Sequence, residues 1–173
     1  MQYQTERRID MIALQIDDIR QFMLHLFSKE TFDAFWLYEA GVKMGVSYVI
    51  DGLLNQDFYD TEERENLDGR TYALWKEQKQ IVFAMIRGHK TPENMKIVLM
   101  LSKENTEKMI LQNNLPIHLE DVRGLFLNIH FRDGILNCTT GVSLKTFTLE
   151  KSLDYVWDEM VRKYFKYQQI GAQ

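Results

Sequence analysis

The sequence feature that most constrains the fold is a strand, turn and strand in residues 122–147. Its centre reads LFLNIHFRDGIL, in which apolar and polar residues largely alternate up to Asp133-Gly134. This period of two is typical of a β-strand with two unlike faces. The Asp-Gly pair favours a two-residue type I′ turn, because both central positions of that turn need positive φ. The segment therefore predicts a β-hairpin.

A turn at this place also predicts the register and the two faces of the hairpin. His130 should pair with Asn137, and Asn128 should pair with Thr139. One face then carries the apolar side chains and should face the core: Leu125, Leu127, Ile129, Phe131, Leu136, Cys138 and Val142. The other face carries neutral and basic hydrogen-bonding groups: Asn128, His130, Arg132, Asn137 and Thr139.

The polar face is the best-defined candidate ligand site in the sequence. Arg132 could bind an anionic group, and His130 could titrate near neutral pH in a pocket for a small ligand. The alternative is that these residues simply face water, because the solvent side of an antiparallel sheet is normally polar.

Composition places the chain among ordinary globular proteins. Its 173 residues suffice for one domain with a real core, and 45% are hydrophobic and 27% charged. The formal net charge of −4 argues against a protein whose main role is to coat nucleic acid, because such proteins are usually basic on at least one face. The single cysteine excludes an internal disulfide framework, and no apolar run approaches the length of a membrane span. We therefore expect a cytoplasmic protein without a membrane partner.

The order of predicted elements is β-α-β-β-α-β-α-β-β-α, which indicates a single α+β domain over residues 11–170. The sheet should be antiparallel or mixed, with helices packed mainly on one face. Residues 1–10 are polar and without period, so we expect a disordered extension. Helices are predicted over residues 71–87 and 150–167, the second with Thr148 as its N-cap and an apolar stripe that covers the core face of the hairpin.

Two charged segments invite other functions. Residues 57–68 hold six acids and one arginine, which suit a helix start better than a cation site. Residues 70–96 are basic, and Arg87, His89, Lys90 and Lys96 could contact nucleic acid. Because the acidic segment precedes them directly, pairing between the two segments or plain solvation explains these charges better. We therefore do not expect nucleic acid as a partner.

The sequence contains no motif that carries known catalytic or cofactor chemistry. It has no phosphate-binding loop, no dinucleotide glycine fingerprint, no H-E-x-x-H and no C-x-x-C. We predict no cofactor, no metal and no catalytic residue, and we expect Cys138 to be a core residue rather than a nucleophile. The preferred interpretation is a non-enzymatic binding domain. It would engage a macromolecular partner through the polar sheet face or an exposed aromatic surface, and self-association and an enzyme remain open.

Several stretches carry a resemblance to a known family. They are MIALQIDDIRQFM, SKETFDAFWLYEA, IDGLLNQDFYDTEE, TPENMKIVLMLS and NCTTGVSLKTFTLEKSLDYVWDEMV. From Met11 onward the chain resembles an uncharacterised family of anaerobic Firmicutes, a domain of unknown function. The resemblance implies a bacterial, cytoplasmic, single-domain protein and brings no assigned activity, cofactor or catalytic residue.

Overall fold

Six strands form one antiparallel sheet in the order β1-β6-β5-β4-β2-β3. The structure is a computed structural model that describes residues 12–88 and 90–173. The strands are β1 (Ala13–Gln15), β2 (Trp36–Lys43), β3 (Ser47–Asp51), β4 (Asn94–Met100), β5 (Val122–Arg132) and β6 (Ile135–Leu144). The helices are α1 (Ile19–Phe27), α2 (Thr61–Asn66), α3 (Trp75–Ile86), α4 (Lys103–Gln112) and α5 (Ser152–Tyr167). The predicted α+β class is confirmed, and the sheet is antiparallel rather than mixed. The extension predicted for residues 1–10 lies outside the described residues.

The hairpin predicted from the sequence is present, with the predicted register. Asp133 and Gly134 have φ of 52° and 76°, as a type I′ turn requires. His130 pairs with Asn137, and Asn128 pairs with Thr139. Because β5 lies between β6 and β4, this hairpin occupies the middle of the sheet.

The main core lies between one face of the sheet and the helices. Helices α1, α3, α4 and α5 all contribute buried apolar residues to it, and α5 covers the hairpin as predicted. The indole N–H of Trp157 in α5 donates to the backbone oxygen of Phe126 at 3.0 Å, which satisfies a polar group in a buried position. Cys138 is buried in this core, and burial raises the pKa of its thiol. This cysteine is therefore a packing residue.

Two helix starts differ from prediction for local reasons. Helix α3 begins at Trp75 rather than Thr71, because Tyr72 and Leu74 form bridges with Leu53 and Trp36 and are held extended. Helix α5 begins at Ser152, so the expected N-cap at Thr148 is wrong.

Side-chain hydrogen bonds between residues two or three positions apart explain both the late start of α5 and the position at which α2 begins. The Thr148 hydroxyl accepts from the Glu150 N–H, and the Glu150 carboxylate accepts from the Ser152 N–H, so these side chains stabilise turns before the helix. In the acidic segment, Asp60 and Glu63 form a capping box at the start of α2. The helix start predicted there is confirmed.

Candidate binding surface on the open face of the sheet

The sheet face opposite the helices, here called the open face, carries a second and smaller apolar cluster. Its buried members come from three central strands, and three partly buried residues pack against them. The cluster consists of Trp36, Val98, Met100 and Phe126, with Tyr38, Tyr72 and Leu74 packed against them. The ring centroids of Tyr38 and Phe126 are 5.1 Å apart at 77°, and those of Tyr38 and Tyr72 are 5.2 Å apart. Such tilted and edge-to-face contacts are favourable for aromatic rings.

A glycine on β5 makes room for this cluster. A Cβ atom at Gly124 would lie 2.7 Å from the Met100 sulfur and 2.7 Å from the tip of the Phe126 ring. Real Cβ atoms essentially never approach another atom this closely, so any other residue at position 124 would displace Met100 and the Phe126 ring. The sequence therefore positions the aromatic floor by leaving out one side chain.

The cluster forms the floor of a groove of about 650 Å³, here called the aromatic groove. Trp36, Tyr38, Tyr72, Met100 and Phe126 line its floor, and Lys103, Glu120, Arg123 and Lys145 lie along its rim. Its volume falls in the range of about 300–1,000 Å³ that is typical of ligand sites. The groove lies where β5 begins, at the opposite end of the strand from His130 and Arg132.

The charge of the aromatic groove is opposite to that of the whole chain. Its lining holds three cations, Lys103, Arg123 and Lys145, and one carboxylate, Glu120, whereas the chain has a net charge of −4. Within residues 12–88 and 90–173 the side chains of Lys103 and Lys145 make no hydrogen bond or ion pair. Two unneutralised ammonium groups next to an aromatic floor suit a ligand with an anionic group and an apolar group.

Tyr72 adds a hydroxyl group to the aromatic lining of the groove. Burial raises its pKa, and Tyr38 and Asp51 add to the effect. A tyrosine hydroxyl is already protonated at physiological pH at its ordinary pKa, and this shift acts in the same direction, so the Tyr72 hydroxyl can donate a hydrogen bond in the groove.

All five residues predicted for a ligand site do lie on the open face, but apart from the groove. Polar partners already engage several of these side chains. The His130 Nε2 atom is 3.1 Å from the Asn94 Oδ1 atom, and the Asn128 amide donates to the Thr139 backbone oxygen at 3.4 Å. Arg132 is exposed, and its guanidinium lies 3.4 Å from the Asp133 carboxylate. These residues, with Asn137 opposite His130, form a polar patch beyond the groove.

The residues predicted for nucleic-acid contact are not all brought together. Lys96 lies on β4 opposite His130, so it belongs to the polar patch of the open face. Arg87 follows α3, a helix that packs on the other face, and Lys90 lies in the next turn. His89 lies outside the described residues.

The aromatic groove could be found only partly from the sequence. Phe126 interrupts the polar face of an otherwise alternating strand, and that interruption is a usable signal. The sequence pattern predicts a helix over residues 71–87, which includes Tyr72, and so gives no sign that Tyr72 lines the groove. The residues of β2 that meet Phe126 become its neighbours only through the strand order.

Residues 12–88 and 90–173 contain neither a metal site nor a membrane-spanning helix. There, no three side chains of the histidine, cysteine, aspartate or glutamate type are grouped so as to hold a metal ion. Likewise, no helix within these residues has both the length and the apolar character needed to cross a bilayer. His25 is buried with its Nδ1 atom 2.7 Å from the Thr31 hydroxyl, so it is a satisfied structural histidine.

Comparison with known proteins gives a family but no activity. Residues 25–173 match a family of unknown function, DUF5721. No curated protein matches the chain, and no solved structure matches it. The family part of the resemblance is confirmed over this range, which begins later than Met11. The chain therefore belongs to DUF5721, a family of unknown function.

Proposed function

We propose that this protein is a non-enzymatic binding domain and that the open face of its sheet is the ligand surface. The observation that carries the proposal is the aromatic groove, whose floor is aromatic and whose rim has an excess of two positive charges. Clusters of aromatic side chains bordered by charged groups are typical of binding hot spots.

The ligand that fits this chemistry is an acidic segment of a protein partner with an aromatic or aliphatic anchor. The anchor would pack on Tyr38, Tyr72 and Phe126, and the carboxylates would pair with Lys103 and Lys145. The polar patch extends the same surface along β4 and β5, where Lys96 and His130 offer further hydrogen-bonding groups. In this arrangement the polar patch is the outer part of one binding surface that includes the aromatic groove, and it is not a separate pocket.

We also infer a bacterial source among the anaerobic Firmicutes and a cytoplasmic location. The resemblance of the five sequence stretches named above supports the source. The single cysteine of the chain, Cys138, is free and buried, which suits a reducing compartment. Cell fractionation with an antibody against the protein would test the location.

A pair of polymer probes tests the proposed function. The first is a random copolymer of glutamate and tyrosine, and the second is polyglutamate, which lacks the aromatic group. We expect the copolymer to bind more tightly than polyglutamate by fluorescence anisotropy. A Lys103→Gln/Lys145→Gln double variant should bind the copolymer about ten-fold more weakly, because each lost charge contact contributes up to about 1 kcal/mol.

A matched variant controls for net charge. Lys163→Gln/Lys166→Gln removes two exposed lysines from α5, on the helical side, and should bind the copolymer as the wild type does. Equal weakening by the two double variants would overturn the proposal.

Two further results would replace the proposal with another function. Tighter and steeply salt-dependent binding of a single-stranded oligonucleotide would favour nucleic acid. Turnover in a broad hydrolase and transferase screen that is lost in His130→Ala would favour an enzyme.

A further inference from the structure

The two edge strands of the sheet, β1 and β3, differ in whether another segment of the chain pairs with their outer side. Outside β1, the C-terminal residues pair with the strand: the Gln15 N–H donates to the Gln173 oxygen at 2.9 Å, and the Gln173 N–H donates back at 3.0 Å. A bridge between Ile16 and Ala172 continues this pairing. At the other edge, β3 pairs with β2 on one side, and no strand of the described chain pairs with its outer side.

The outer edge of β3 lacks the usual protection against pairing. Natural edge strands commonly carry lysine, proline or a bulge, which hinder the addition of another strand. β3 reads SYVID, without lysine, proline or bulge, and its one charged residue is the last. Val49 is 72% exposed, and Val46 just before the strand is 60% exposed. This edge is therefore open, nearly uncharged and apolar.

The backbone groups that face outward can be assigned from the β2–β3 ladder. The Gly52 N–H donates to the Tyr38 oxygen at 3.1 Å, so Gly52 faces β2. The direction of the backbone N–H and C=O groups alternates from one residue of a strand to the next. These groups of Tyr48 and Ile50 therefore also point towards β2. The N–H and C=O groups of Ser47, Val49 and Asp51 point away from the sheet.

We propose that β3 pairs with β3 of a second copy of the chain, antiparallel and centred on Val49. In this register Val49 of each copy exchanges two hydrogen bonds with Val49 of the other. Ser47 then lies opposite Asp51 on both sides of the centre and adds four more. The Ser47 hydroxyl, a donor, also faces the Asp51 carboxylate, an acceptor. This self-complementarity, with no like charges directly opposite, identifies a second copy as the occupant rather than an unrelated strand.

The pairing would join two six-stranded sheets into one. The two-fold axis of an antiparallel strand pair is perpendicular to the sheet, so the open faces of both copies point to the same side. If the open face is the ligand surface proposed above, the dimer presents two aromatic grooves to one partner. A partner with two acidic segments would then bind with increased avidity.

Mass measurement across a concentration series tests the dimer. Wild type should shift towards twice the monomer mass in sedimentation equilibrium as its concentration rises. Val49→Lys should weaken association at least ten-fold, because it places two ammonium groups at the centre of the strand pair. Ile135→Lys is the matched control, because it replaces an exposed β-branched residue of β6 and should dimerise as the wild type does.

A spin label tests the register directly and does not depend on the proposed ligand. Cys138 is buried, so a nitroxide introduced at Val49→Cys is the one reactive site. The Cα atoms of the two labelled residues should be about 5.5 Å apart, which gives strong dipolar broadening. Ile135→Cys should show none. A monomer at every concentration, a dimer unchanged by Val49→Lys, or no broadening at position 49 would each overturn the proposal.

Discussion

The two faces of the sheet are built from alternate residues of the same strands, yet they have different roles. On β5, Leu127 and Ile129 lie against the helices and are at most 1% exposed. Their neighbours Asn128 and His130 lie on the open face, where no helix adds an apolar residue to the second cluster. The difference shows that strand alternation separates two surfaces and that the helices decide which one becomes the core.

The open face is itself divided into two halves. Around Phe126, Gly124 leaves space for side chains to lie flat, and Tyr72 reaches over from the segment before α3. Around His130, polar side chains are held by one another. The first half combines a concave shape with the ammonium groups of Lys103 and Lys145, which are unpaired within the described residues.

The largest expected effect contrasts neighbouring residues on the two faces. Ile129→Ala should lower the free energy of unfolding by about 3 kcal/mol, because it leaves a cavity in a fully buried position. His130→Ala removes one hydrogen bond to Asn94 and should cost about 1 kcal/mol or less. Urea denaturation of both variants measures the difference. Similar losses in the two would show that the open face is also part of the main core.

An intermediate effect distinguishes two glycines of the open face. Gly124→Ala should cost about 1–3 kcal/mol, because its Cβ displaces the Phe126 ring and Met100. Gly141→Ala has its nearest contact at 3.8 Å and should stay within about 0.5 kcal/mol of wild type. Thermal or urea unfolding of the pair checks this. Equal stability of the two variants would contradict the packing described for the aromatic groove.

The smallest expected effect is a pH dependence on the helical side. Burial lowers the pKa of His25 below its ordinary value of 6.5, and the nearby Lys29 adds to this. The unfolded chain therefore takes up a proton before the folded one does. The stability that neutral His25 contributes is complete above about pH 6.5 and is lost as pH falls below it.

A His25→Gln variant isolates this contribution. The free energy of unfolding is measured by urea denaturation at about pH 7.5 and about pH 5.5. The decrease between the two should be larger in the wild type than in His25→Gln. Identical decreases would show that His25 does not titrate differently on folding.

Much of the fold could be predicted from local pattern. The turn at Asp133-Gly134, the register of β5 and β6 and the burial of Cys138 depend on residues close in sequence, and all are confirmed. The starts of α3 and α5 could not be predicted. Tyr72 is held extended by Leu53, a contact between distant residues, and Thr148 caps a turn that competes with the helix.

The candidate site also has one part that local sequence pattern predicts and one part that depends on contacts between distant residues. Asn128, His130, Arg132, Asn137 and Thr139 were predicted to share a face, and the register confirms that they do. Their role in binding stays a prediction. The groove was not predicted because it joins β2, β4 and β5 with the segment before α3.

The sequence by itself determined the elements whose stabilising contacts are local: the hairpin, its two faces and the helix stripes. Period-two alternation and turn chemistry are read within a few residues, and they need no knowledge of the strand order. Tertiary structure alone decided that Tyr38 and Tyr72 meet Phe126 and that the β1 edge is covered while β3 stays open. Those outcomes depend on contacts between residues far apart in the chain, which strand order and packing create.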